Sequence, residues 1–143
     1  MPPKVQELAL VDALFQLSFL LQGTLARLAA AHELSIVQVR LLGILRDREP
    51  GMLELARYLE LEKSSLSGLV DRAERRGLVE RVPSQDDRRA FNVRITPQGR
   101  KLTRAMEEEA TAEVLKLVGV LSRPDRERLA ALVDLVNATG ARS

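Results

Sequence analysis

The sequence predicts a mostly helical protein carrying one small β-hairpin, and three observations predict it. Leu and Ala dominate a chain that is 45% hydrophobic but only 3% aromatic, a composition that favours packed helices over a sandwich or barrel. Apolar residues recur at helical spacing through most of the chain, whereas strict alternation is confined to Phe91–Ile95. Gly77 and the pair Thr96-Pro97 bracket that alternating region with a helix stop and a helix start. At 143 residues the chain holds one ordinary domain, or a small domain with an appended bundle.

The elements follow in order. Val5 to about Ala31 reads as a helix that is apolar nearly all round, through Val5, Leu8, Val11, Leu14, Phe15, Phe19, Leu20 and Leu25. Such a helix must be covered on every side, and a partner subunit covers it most economically. Ser35 and Gln38 form a capping-box pattern that starts a helix from Ile36 to about Asp47, and Pro50-Gly51 punctuates its end. Met52 to about Leu59 is a short helix, and Leu61-Glu62 turns the chain into a second, Lys63 to about Arg76, which Gly77 stops. Two short helices joined by a tight turn make a helix-turn-helix. Leu55, Ala56, Leu59, Leu66, Leu69, Val70 and Ala73 supply its packing face and leave Ser64, Ser65, Ser67, Gly68, Asp71 and Arg72 outward.

Val79–Pro83 is the next expected strand, and in the strand Phe91–Ile95 the residues Phe91, Val93 and Ile95 are expected to face the core. The charged loop between them, Ser84–Ala90, is too long for a two-residue turn and projects as a wing. Pro97 then opens a long helix to about Leu121, and Ser122 starts a last one through about Ala138. The apolar positions Leu115, Val118, Leu129, Leu132, Val133 and Val136 give these helices faces for packing together and against the first helix. Residues 1–34 and 97–143 therefore read as one helical dimerisation region, with a winged helix-turn-helix, residues 35–96, inserted between its parts.

Charge is distributed as such a reader requires. From Lys63 to Arg104 there are eleven Lys or Arg against five acids, a local +6, while the remainder carries eleven basic and fifteen acidic residues, a net −4 that leaves the chain at +2. A localised cationic surface releases counterions from duplex DNA on binding. Lys63, Ser64, Ser65 and Ser67 are the short or cationic side chains that a helix entering the major groove needs near its N-terminal half. Arg88 and Arg89 stand at the wing tip, where guanidinium groups reach a narrow minor groove. Asp86 and Asp87 are expected to orient them, or to tie the wing to the helix through Arg72 or Arg75. Arg75, Arg76 and Arg81 are candidates for phosphate contact or for bracing the domain.

The run Leu69–Arg81, followed by Asp86-Asp87-Arg88-Arg89 and Ile95-Thr96-Pro97-Gln98-Gly99, resembles the MarR family of bacterial and archaeal transcriptional regulators, and the resemblance covers nearly the whole chain. It implies a homodimer built through the terminal helices that reads a palindromic site. It also implies repression of nearby genes, relieved when a small ligand binds between bundle and reader. Lys63, Ser64, Ser65, Ser67, Arg72, Arg75, Asp87, Arg88 and Arg89 are thereby the expected DNA-binding set. Two positions depart from the family pattern: Glu62 stands where a capping Ser is common, and Gly68 leaves an outward position without a side chain.

Other functions find little support in the residues. One histidine, no cysteine, no Gly-rich phosphate loop and no nucleophile elbow leave no catalytic set, so no enzyme is expected. His32 and the run Glu107–Glu109 do not make a metal-ligand constellation, and neither metal nor cofactor is expected. A helical protein-binding adaptor on a winged fold is the alternative reading, but an adaptor needs no basic wing beside a basic helix. Any effector is expected to be aromatic or lipophilic, in a groove lined by Phe15, Phe19, His32 and Leu41, with Leu20 and Leu45 nearby. The start of the chain shows no secretory signal, and the uncharged stretch Ala13–Ala26 falls short of a membrane span, so the protein is expected in the cytoplasm.

Overall fold

A computed structural model of the chain describes residues 2–140; the expectations for Met1 and residues 141–143, at the two ends of the terminal region, lie outside the described residues. The elements run α1 (Pro3–Ala31), α2 (Ile36–Leu45), α3 (Met52–Leu59), α4 (Lys63–Arg75), β1 (Val79–Pro83), β2 (Phe91–Ile95), α5 (Pro97–Val118) and α6 (Arg123–Gly140). Two compact units result, Met1–Ala110 and Thr111–Ser143, and the division falls inside α5.

Local chemistry explains the boundaries in the first unit. The Ser35 hydroxyl accepts from the Gln38 N–H at 3.2 Å and the Gln38 side chain accepts from the Ser35 N–H at 2.8 Å, a complete capping box. Gly77 adopts φ +73°, which ends α4 without the Cβ penalty another residue would meet. Thr96 starts α5: its hydroxyl accepts from the Gly99 N–H at 3.0 Å and donates to the Gly77 carbonyl. Glu33 and Glu60 also adopt left-handed backbone, φ 58° and 53°, at the ends of α1 and α3. The helix expected to reach Asp47 stops at Leu45, and the one expected to reach Leu121 stops at Val118, just ahead of Gly119.

The core of this unit is the reader itself. Leu41 and Leu45 of α2, Leu55 of α3, Leu66 and Val70 of α4, Val79 of β1 and Val93 of β2 are wholly buried. The hairpin is antiparallel, pairing Val79 with Ile95 and Arg81 with Val93, and Gly51 bridges to Asn92 on its outer edge. Phe91 does not face the core as alternation suggested: at the wing end of β2, opposite Pro83, it is 50% exposed and lines an open groove beside α3.

From Val5 to Gln22, α1 is exposed along nearly its whole length, and no side chain there is buried. The uncharged stretch within it is short, yet α1 as a helix is long and apolar enough to cross a bilayer by length and composition. In the second unit, α6 likewise contains no buried residue, and Leu132, Val133, Leu135 and Val136 are all exposed. Its start is held by the Asp125 N–H on the Ser122 hydroxyl at 3.2 Å and by Arg126 on the Leu121 carbonyl at 2.7 Å.

Candidate nucleic-acid interface

The first turn of α4 presents Lys63, Ser64 and Ser65 to solvent, while Ser67 and Gly68 are half-buried. Glu62 occupies the N-cap position but its side chain caps nothing, so the leading N–H groups of α4 remain available to an acceptor such as phosphate. Gly68 has a role beyond its missing side chain. A Cβ there would lie 3.2 Å from Arg72 Nη1, so the Arg72 guanidinium folds back over the glycine one turn earlier.

The arginines separate into two groups by what they touch. Arg81 donates to Asp71 at 2.8 Å and to Glu74 at 2.9 Å, and its own N–H donates to Glu74 at 3.2 Å, so β1 is laced to the outer face of α4. Arg76 donates to the carbonyls of Glu33 at 2.7 Å and His32 at 3.0 Å. Arg94 pairs with Glu80 across the hairpin, and Arg46 pairs with Glu107; the carboxylate in each case raises the arginine's already high pKa and keeps it charged. Arg75 makes a single contact, to the Asp71 carbonyl at 3.4 Å. Lys63, Arg88 and Arg89 are exposed, and among the described residues their charged groups have no ion-pair partner.

In the wing, the Asp87 carboxylate holds backbone rather than an arginine side chain, and Asp86 contributes its backbone N–H. Asp87 accepts the Arg89 N–H at 2.9 Å, and the Asp86 N–H donates to the Ser84 hydroxyl at 3.3 Å. The expected tie from these acids to Arg72 or Arg75 is absent among the described residues; Arg81 makes that tie with Asp71 and Glu74, because β1 runs directly beside α4. With Ser84 and Ala90 closing the loop at 3.1 Å, Asp87 fixes the turn that presents Arg88 and Arg89.

An open groove of about 860 Å³ brings the two halves of the surface together: Lys63 of α4 and Arg89 of the wing line it with Arg57 of α3, Ser84, Asp86 and Phe91. Arg57 was not singled out from sequence. It is exposed in the last turn of α3 and has no ion-pair partner among the described residues, and only the fold reveals that this turn faces the wing base.

The expected effector residues do not converge on one cavity. Phe15 and Phe19 stack on each other with centroids 6.5 Å apart and stand 60% and 67% exposed on α1. Leu41 lies in the reader core, and Leu20 is exposed while Leu45 is buried. His32 caps the end of α1, and its ring meets Glu109 of α5 at 3.1 Å. A separate apolar cavity of about 180 Å³ lies among α1, α2 and α5, walled by Leu25, Leu28, Val39, Leu42, Met106 and Ala110, with the Arg46–Glu107 pair at its side.

Comparison with known proteins agrees with this geometry. Residues 32–90, from the end of α1 through the wing, match the MarR family model. The chain is 26% identical over 138 residues to the HTH-type transcriptional regulator PecS of Dickeya dadantii (strain 3937), covering 92% of this chain and 82% of PecS. It is 38% identical over 91 residues to the transcriptional activatory protein BadR of Rhodopseudomonas palustris (strain ATCC BAA-98 / CGA009), covering 61% of this chain and 52% of BadR. The structure of NadR in complex with 4-hydroxyphenylacetate superposes with a TM-score of 0.75 at 25% identity, over 90% of this chain and 89% of that one. The relatives regulate transcription rather than catalyse reactions. Residues 32–90 therefore carry the MarR family pattern, and the fold of the chain is that of MarR-family winged helix-turn-helix structures.

Proposed function

We propose that the protein is a homodimeric repressor that grips a palindromic operator through two copies of the α4–wing surface and releases it when a small ligand binds. The observation that carries this reading is the division among the arginines. Arg76, Arg81 and Arg94 are held by internal partners, while Lys63, Arg88 and Arg89 have no ion-pair partner among the described residues, and Lys63 and Arg89 line one groove. Unpaired cations at a helix start and a wing tip suit a phosphate backbone and a minor groove. In this reading Ser64, Ser65 and Ser67 approach base edges, Arg72 and Arg75 reach the phosphates, and Asp87 shapes the wing.

Dimerisation is supported by area left uncovered. Leu8, Leu14, Phe15 and Phe19 of α1 are 56–67% exposed, as are Leu132, Leu135 and Val136 of α6 at 55–69%. Exposed apolar residues repeated along each of these helices mark an interface. Residues 1–34 and 97–143 are accordingly assigned to the dimer, residues 35–96 to DNA, and the whole to the cytoplasm, where operator DNA is.

The apolar cavity beside Arg46 is the proposed effector site. Its volume of about 180 Å³ is below the roughly 300–1,000 Å³ usual for ligand pockets, so a compact aromatic compound suits it. Arg46 is the cation at its wall among the described residues, and an acidic ligand competes with Glu107 for it. NadR's 4-hydroxyphenylacetate complex supports that chemistry.

Sedimentation of the protein with a fluorescent duplex from its own upstream region, with and without 4-hydroxyphenylacetate, tests the assembly. Two chains per duplex are expected, with release by ligand; one chain per duplex refutes the dimer. The name of BadR favours the opposite regulatory sign. A promoter fusion that loses expression when the gene is deleted supports activation, and one that gains expression supports repression.

A further inference from the structure

Arg76, at the C-terminal end of α4, is bound to the end of α1. It caps the helix, its own N–H bonding to the Arg72 carbonyl at 3.2 Å, and its guanidinium fork meets two successive carbonyls, His32 at 3.0 Å and Glu33 at 2.7 Å. Those carbonyls lie just beyond the last turn of α1, where the left-handed backbone of Glu33 turns the chain toward α2. Charged donors on carbonyls make strong, directional hydrogen bonds, and a planar fork fixes orientation as well as distance.

This contact joins two parts that no other polar side-chain bond links among the described residues. The reader, α2 to β2, is a rigid packed body around Leu41, Leu55, Val70 and Val93. It meets α1 through the turn at Glu33–Ser35, through apolar packing of Ala29 and Leu34 and of Leu25 and Leu28 beside Val39 and Leu42, and through the Arg76 fork, while His32 ties the end of α1 to Glu109 of α5. The fork acts directly on the C-terminal end of α4, whose N-terminal end carries Lys63, Ser64 and Ser65.

We infer that Arg76 is a positioning residue that sets half-site spacing, by fixing the angle of α4 against α1. The inference rests on the proposed dimer: if α1 carries the symmetry axis, the angle at its end determines how far apart the two copies of α4 stand. One added base pair displaces a half-site by about 3.4 Å along the duplex and rotates it around the axis. A reader held rigidly on α1 rejects that change; a loosely held one tolerates it. A phosphate-contacting arginine behaves differently, because losing it weakens binding to every site and lowers the salt slope.

The test selects sites from a randomised duplex pool with wild type, Arg76→Lys and Arg76→Ala, each checked for a cooperative unfolding transition. Individual sites are then re-bound with the half-site separation lengthened or shortened by one base pair. Wild type is expected to recover two-fold sites of one spacing and to lose about tenfold in affinity on changed spacing, the weight of a charge-assisted hydrogen bond. Arg76→Ala is expected to recover the same half-site with that penalty reduced to about threefold or less, at an unchanged salt slope. Arg76→Lys, which keeps the charge but not the fork, falls between and carries the test should the alanine variant fail to fold. A retained spacing penalty overturns the inference, as does a lowered salt slope or an altered half-site. Wild type recovering only single half-sites overturns the dimeric reading itself, and the inference with it.

Discussion

Gly99→Ala is expected to unlock the junction between reader and α5, and the structure supplies the magnitude. A Cβ at Gly99 would lie 2.2 Å from the Leu78 carbonyl oxygen and 2.7 Å from Ile95 Cγ1. Carbon meets a carbonyl oxygen at about 3.3–3.6 Å, so the start of α5 must retreat by more than about 1 Å. Both obstructing groups are fixed: Ile95 is in the core, and the Leu78 carbonyl accepts the Thr96 N–H at 3.0 Å. Retreat also strains the Gly99 N–H bond to Thr96 at 3.0 Å and the Thr103 hydroxyl bond to the Gly99 carbonyl at 2.9 Å. Overpacking of this kind costs about 1–3 kcal/mol, and two weakened hydrogen bonds add about 1 kcal/mol each. Alanine's better helix propensity returns about 1 kcal/mol, for a net loss near 3 kcal/mol. With a urea m-value of about 2 kcal/mol/M, the unfolding midpoint at fixed protein concentration falls by about 1.5 M. A midpoint within about 0.3 M of wild type would refute the close approach of α5 to the Leu78 carbonyl.

Four further substitutions probe the proposed interfaces. Arg89→Ala and Arg88→Ala should each weaken operator binding and lower the log–log salt slope by about 1, with the larger loss at Arg89 because it shares the groove with Lys63; an unchanged slope removes the wing from the interface. Leu14→Asp places an unpaired charge on a face proposed to be covered by the partner, a burial worth several kcal/mol, and should dissociate or unfold the dimer; a full-strength dimer in sedimentation would put the interface elsewhere. Arg81→Ala strips the partner from Asp71 and Glu74, costing about 1 kcal/mol after allowance for solvent screening. It also leaves two carboxylates unneutralised on the DNA side of α4, so urea midpoint and operator affinity should both fall, and an affinity gain would contradict that placement.

The order of elements was legible because local chemistry marks their ends. Ser35 with Gln38, Gly77, and Thr96 with Pro97 announce themselves within four residues, and each makes the bonds its type requires. The charged wing and the start of α4 were legible for the same reason. What eluded sequence reading depends on distant partners. Arg76 and Arg88 are the same residue type in the same basic region, yet one is bound 43 and 44 residues away and the other has no ion-pair partner among the described residues. Alternation placed Phe91 on the inward face of β2 but carried no information on the open groove beside α3 that leaves it 50% exposed. The cavity near Arg46 draws its walls from α1, α2 and α5, a convergence that no local pattern encodes. Glu33 and Glu60 adopt left-handed turns normally signalled by glycine.

The most direct test of a dimeric, DNA-reading surface at α4 and the wing is a fluorescence-anisotropy titration. The purified protein is titrated against its own upstream intergenic DNA and a scrambled duplex of equal length, at two salt concentrations. Preferential binding that weakens steeply with salt and saturates at two chains per duplex is the predicted result. No binding to either duplex at low salt would contradict it, and would turn the winged fold of this chain toward protein partners instead.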